Sequence, residues 1–118
     1  MCNYNTQTTD YYSCDGQHVH EIIGSTVIAE ESEECHNHRF CTMSGEAIAA
    51  NGSHFHNVTF RTDTHDDHYH EFNGPTSLAI PTGDGRHVHF VKDCTSAADG
   101  HVHEFRVVSL INNPVEKY

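Results

Sequence analysis

Histidine is the residue whose spacing in this chain most suggests chemistry. Twelve of the thirteen histidines fall in six His-x-His pairs, His18/His20, His36/His38, His54/His56, His68/His70, His87/His89 and His101/His103, and His65 alone stands outside them. In an extended strand, residues i and i+2 project from the same side about 6.5 Å apart, so the two imidazoles of a pair can converge on one ion. Neutral imidazole ligates divalent transition metals, with zinc, copper and nickel the candidates here. A single pair on a strand is ordinarily solvated or packed. Six copies at regular intervals call for another explanation, and a purification tag would be contiguous and terminal.

The elements that must position these pairs read as strands. Residues 54–72 (HFHNVTFRTDTHDDHYHEF) lie over residues 87–105 (HVHFVKDCTSAADGHVHEF) without a gap at an offset of 33, and looser copies relate residues 18–29 to 68–79 and residues 40–48 to 72–80. The units HVHEI, STVIA, HNHRF, EAIAA, HFHNVTF, HYHEF, SLAI, HVHFV and HVHEFRVV are short and rich in β-branched and aromatic residues. Between them stand Asp15-Gly16, Asn51-Gly52, Gly74-Pro75, Gly83-Asp84-Gly85 and Asp99-Gly100, which supply positive φ or preset turns. The expected fold class is all-β: a repeat-built antiparallel domain of about eight to ten short strands, arranged as a sandwich or closed sheet. It occupies residues 15–111, between a polar arm at residues 1–14 and a short tail at residues 112–118 stopped by Pro114.

Treating the two units related by 33 residues as hairpins, a register that opposes His56 with His68 also opposes His54 with His70. The same parity pairs His89 with His101 and His87 with His103, so each hairpin is expected to hold a four-histidine cage. His18/His20 and His36/His38 complete a third cage or share ions with a neighbour. Strand alternation sets Glu21, Glu71 and Glu104 on the face opposite the preceding histidine, as solvated or outer-layer groups that orient an imidazole. Ile22, Phe40, Phe72 and Phe105 share the histidine face and wall the site. Val19, Asn37, Phe55, Tyr69, Val88 and Val102, between paired histidines, are expected to pack a core on the other side. His65, with Asp63, Asp66 and Asp67, reads as a solvated loop, with an extra cation site as the alternative.

Leu, Ile, Val and Phe number 2, 6, 9 and 6, or 23 of 118 residues, and the formal charge is −11. That combination falls in the range of disordered chains, so metal, disulfides or association must supplement the core. The acidic excess repels phosphate backbones and anionic lipid, which argues against nucleic-acid and membrane-surface partners. Protonating every histidine moves the charge from −11 to +2, so metal loss and charge reversal are expected together below about pH 6. No apolar run approaches the roughly 18 to 20 residues of a membrane span, and residues 1–13 lack the basic start and apolar stretch of a secretory signal. Export by the general secretory route is therefore not expected, and the location is left open between the cytoplasm and deposition on a cell surface. Cys2, Cys14, Cys35, Cys41 and Cys94 are odd in number, which makes them candidates for intermolecular disulfides, with Cys35 and Cys41 weaker candidates for metal ligation.

With HVHEIIGST, CHNHRF, SGEAI, GSHFH, DDHYHEF, GDGRHVHFVKDCT and DGHVHEF standing in order over about residues 15–110, the chain resembles the YmaF family of bacterial proteins. The resemblance implies a small protein of a spore-forming or related bacterium and carries no catalytic residue across. The preferred function is a non-enzymatic metal-binding β-repeat protein whose ions stabilise the fold. Homo-oligomers or a filament would form through the N-terminal arm. The alternative is a metalloenzyme, cupin-like or hydrolytic, which needs an open coordination position.

Overall fold

The computed structural model describes residues 17–29 and 35–114, so the expected arm at residues 1–14, with Cys2 and Cys14, lies outside the described residues. Ten strands run in chain order: β1 (Glu21–Ser25), β2 (Arg39–Met43), β3 (Ile48–Ala50), β4 (Ser53–Phe55), β5 (Asn57–Arg61), β6 (Glu71–Pro75), β7 (Ile80–Pro81), β8 (His87–Val88), β9 (Phe90–Cys94) and β10 (Glu104–Val108). All pair antiparallel, and the described residues contain no helix. The all-β class and the strand number are as expected. The arrangement is neither a sandwich nor one closed sheet, because the strands form five two-stranded sheets.

Three of these are five-residue hairpins, β1/β2, β5/β6 and β9/β10, that enclose a common interior; β3/β4 and β7/β8 are shorter. The inward positions of the long hairpins carry Ile22, Phe40, Val58, Phe60, Phe72, Val91 and Phe105, all buried, while Glu21, Arg39, Arg61, Glu71 and Glu104 point outward. Phe40 stacks on Phe60 with centroids 4.0 Å apart, and the Phe105 ring stands edge-on to Phe40, Phe60 and Phe72. Backbone bonds link each hairpin to the next: Gly45 N to Asn57 O and Asp63 N to Arg39 O at the first junction, Ser77 N to Phe90 O and Ser96 N to Glu71 O at the second, Leu110 N to Glu21 O and Val27 N to Glu104 O at the third. The ring of hairpins is thereby closed.

A hydroxyl sets where each hairpin ends. Six residues beyond the second histidine of every pair stands a serine or threonine: Thr26, Ser44, Thr62, Thr76, Thr95 and Ser109. Across each hairpin the histidine N–H donates to that hydroxyl, His38 to Thr26 at 2.9 Å and His20 to Ser44 at 3.1 Å, with His70 to Thr62, His56 to Thr76, His103 to Thr95 and His89 to Ser109 alike. These bonds satisfy backbone donors that the buried interior would otherwise leave unpaired. The result is elongated, 61 × 28 × 21 Å with a radius of gyration of 17.4 Å, against about 13 to 14 Å for a compact chain of this length.

The outward face settles one expectation against the sequence reading. Val19, Tyr69 and Val102 are exposed, as is Asn37, and Phe55 and Val88 are only half-buried, so the residues between paired histidines do not form a second core. The hairpins make a single wall around one interior, and that interior belongs to the histidines and the Phe/Ile/Val set. Close packing also fixes glycine at position 24, where an added Cβ would sit 2.8 Å from Phe40 Cζ, whereas at Gly45 it would meet only Asn57 O at 3.7 Å. Because Phe40 is locked by its stack on Phe60, Gly24→Ala is expected to destabilise by about 1 to 3 kcal/mol and Gly45→Ala by well under about 1 kcal/mol. Urea titration followed by circular dichroism separates the two; equal midpoints would show that Phe40 gives way freely.

Candidate metal centres

Each His-x-His pair sits just ahead of one of the six strands of the long hairpins, so its histidines continue the inward face of that strand. Within a hairpin the two strands run opposite ways, and Phe60 pairs with Phe72, Ile22 with Thr42 and Phe105 with Asp93. The two pairs of one hairpin therefore lie at opposite ends of the interior. The expected four-histidine cages within single hairpins do not form, since a register opposing His56 with His68 would have displaced Phe72 from Phe60. Instead the entries of β1, β5 and β9 bring together His18, His20, His54, His56, His87 and His89, with ligand atoms all within 4.8 Å of one another. The entries of β2, β6 and β10 bring together His36, His38, His68, His101 and His103 within the same distance, with His70 packed against His38, His68, His101 and His103. Both groups could hold a metal ion.

Each cluster is two triangles of rings. At the first end the inner triangle, His20, His56 and His89, has centroids 4.4 to 4.6 Å apart at 79 to 80°, and the outer one, His18, His54 and His87, 4.7 to 4.9 Å apart at 79 to 85°. The second end repeats this with His38, His70 and His103 inside and His36, His68 and His101 outside. The six inner histidines are at most 1% exposed.

The inner rings are oriented by the neighbouring hairpin. His56 Nδ1 lies 2.8 Å from Gly45 O, His38 Nδ1 2.9 Å from Asp63 O, His89 Nδ1 2.9 Å from Ser77 O, His70 Nδ1 2.8 Å from Ser96 O, His20 Nδ1 2.8 Å from Leu110 O and His103 Nδ1 2.9 Å from Val27 O. A carbonyl only accepts, so Nδ1 carries the proton in each ring and Nε2 keeps its lone pair. That lone pair faces the cluster interior, the tautomer a metal ligand requires. Four of these atoms, Nε2 of His38, His56, His70 and His89, are buried with no hydrogen-bond partner among the described residues. Backbone carbonyls thus do what the sequence reading assigned to glutamates, and Glu21, Glu71 and Glu104 are exposed.

Burial, followed by the neighbouring imidazoles, pushes His87 down to about 3. His89 and His103 are pushed down to about 4, again chiefly by burial, which outweighs the carbonyl bonds that favour their charged forms. Burial likewise lowers His20, His38, His54 and His70. Burial thus favours the neutral form of these seven rings, the form in which an imidazole ligates a metal.

His65 is not a solvated loop residue. It bridges to His68 across the Asp66-Asp67 turn, whose φ values are 52° and 69°, and its ring stacks on His36 at 4.4 Å and 10°, capping the second cluster. Asp63 Oδ1 accepts Arg39 N and lies 3.3 Å from His38 Nδ1, and Asp99 Oδ2 lies 3.7 Å from His68 Nδ1. Cys35, Cys41 and Cys94 are exposed, free thiols outside both clusters, so no thiolate joins the histidines among the described residues. What the sequence reading missed is the hydroxyl six places beyond each pair, a signal present six times in the chain.

The YmaF family model, described as "Spore germination protein GerY/YamF", matches residues 15–111. No curated protein and no solved structure matches the chain. The lowered histidine values carry a sign for the metal-free protein. Unfolded histidines, at the ordinary 6.5, take up protons before the buried ones at about 3 to 4 do, so stability is full above about pH 6.5 and falls as pH drops toward about 4. Chelator-treated protein is expected to show a lower urea midpoint at about pH 4.5 than at about pH 7.5; equal midpoints would mean that the rings do not share a desolvated interior.

Proposed function

The chain belongs to the YmaF family, and on that footing we propose that it is a non-enzymatic transition-metal-binding protein whose ions lock the ring of three hairpins. The single observation that carries this reading is the convergence of six imidazoles from three hairpins within 4.8 Å, with the inner tautomers preset by backbone carbonyls. An ion at either end ties together residues from the first, middle and last thirds of the chain, and its binding energy becomes folding energy. A hydrolytic or cupin-like enzyme would keep a ligand position for water or substrate, and clusters this crowded with imidazole do not favour one. The family description supports a setting in the spore.

Native mass spectrometry with elemental analysis is expected to find about two divalent ions per chain, one for each cluster. His56→Ala combined with His89→Ala removes one and leaves the other. With free metal a hundredfold above its Kd, each site adds about 2.7 kcal/mol, so chelation lowers the Tm sharply. A melting transition indifferent to chelator overturns the reading.

Assembly into homo-oligomers or a filament is the finer part of the same proposal. It is supported by the outward exposure of Val19, Ile23, Val27, Ile28, Met43 and Val108, and by three exposed thiols on the same wall. Gel filtration under oxidising conditions is expected to show multimers that dithiothreitol shortens; a monomer in both conditions rejects assembly.

A further inference from the structure

The ring packing within each cluster follows a definite scheme. His18 packs edge-on against His20, His54, His56 and His87, and the remaining member, His89, lies across the cluster from it. By the same scheme His20 lies across from His54, and His56 from His87. Two staggered triangles with three diagonals are the vertices of an octahedron. The ring contacts of the second cluster follow the same pattern, with diagonals His36/His70, His38/His101 and His68/His103, while its set of ligand atoms within 4.8 Å holds the five histidines other than His70.

The nitrogen separations agree with that figure. His87 Nε2 lies 3.1 Å from His18 Nε2, 3.2 Å from His20 Nε2 and 3.0 Å from His54 Nε2, and His101 Nε2 lies 3.1 Å from His103 Nε2. Six nitrogens at about 2.1 to 2.2 Å from one ion stand about 3.0 to 3.1 Å from their neighbours and about 4.2 to 4.4 Å across, whereas tetrahedral sites use only four donors, about 3.3 Å apart. Hydrogen bonding does not account for the crowding at His87. Nε2 of a neutral imidazole presents either one proton or one in-plane lone pair, so at most one of those three contacts is a directed hydrogen bond and the nitrogens of the others crowd against one another. A cation at the centre converts that crowding into ligation.

Resting on the metal-binding reading, we propose that each cluster is a six-coordinate, all-imidazole centre that takes a first-row divalent ion favouring octahedral geometry, of the ferrous, cobaltous or nickel type, in preference to zinc. All six ligand positions are protein nitrogens, so no water remains bound and the ion is a structural one. At the second cluster His70, whose buried Nε2 has no hydrogen-bond partner among the described residues, is the sixth ligand, and His65 stays outside as a stacked cap.

Cobalt(II) reconstitution of the full chain tests this. The expected product carries about two cobalt ions, with the weak visible absorption of six-coordinate cobalt and about six nitrogen scatterers by X-ray absorption. Equilibrium dialysis against equal nickel and zinc is expected to load nickel at least about tenfold over zinc. Cobalt bound with the intense absorption of a tetrahedral site, or zinc taken in preference, overturns six-coordination while leaving the metal-binding reading standing. No cobalt, nickel or zinc bound at all overturns both. His87→Ala adds a control that needs no change of fold class: one cobalt centre gains an exchangeable water, seen in solvent proton relaxation, and the other does not. Relaxation that stays at the wild-type value excludes His87 as a ligand and overturns the octahedral assignment.

Discussion

The bond from an inner imidazole Nδ1–H to the carbonyl of the next hairpin is the interaction on which the rest depends. Six such bonds of 2.8 to 2.9 Å run around the ring, two at each hairpin junction. Each satisfies a carbonyl beyond the end of its hairpin, joins two hairpins and leaves Nε2 as a bare acceptor in the interior. Without them the rings would be free to turn, and a buried imidazole with neither nitrogen paired would cost about 1 to 3 kcal/mol per unsatisfied group. The fold has few aliphatic side chains because much of its interior is imidazole, which explains how a chain of disordered-type composition encloses a core at all.

That core divides in three along the long axis: a histidine cluster, a plug of Ile22, Phe40, Val58, Phe60, Phe72, Val91 and Phe105, and a second histidine cluster. The plug supplies the burial that fixes which face points inward, and the clusters continue that face at both ends. From His20 to Thr26, which pairs with His38, is six strand residues, so the two centres stand about 20 Å apart. Two dications held at that distance would repel by about 3 kcal/mol at an effective dielectric of about 20, so filling one cluster would weaken the other.

Much of this was legible in the residues. The six pairs, the 33-residue offset, the turns at Asn51-Gly52 and Asp99-Gly100 and the all-β class all follow from side-chain type and spacing, and Ile22, Phe40, Phe72 and Phe105 do share the histidine face. The register was not legible. Opposing His56 with His68 and opposing Phe60 with Phe72 have the same parity, so alternation alone permits both. What selects the second is burial of the phenylalanines together with a hydroxyl placed to receive each histidine N–H, and a hydroxyl's role depends on the partner strand. The outward turn of Val19, Tyr69 and Val102 escaped for a related reason: a wall one sheet thick has an outside, where valine is tolerated as well as glutamate.

The closed order of the hairpins has a consequence for how such a centre responds to dilution. A ring of three separate hairpins would be a termolecular assembly, dissolving at low concentration. Here loops hold the second and third hairpins at high local concentration relative to the first, so closure is an intramolecular event and an ion caught between residues as distant as His18 and His87 would be retained by one polydentate chain rather than by three separate ligands.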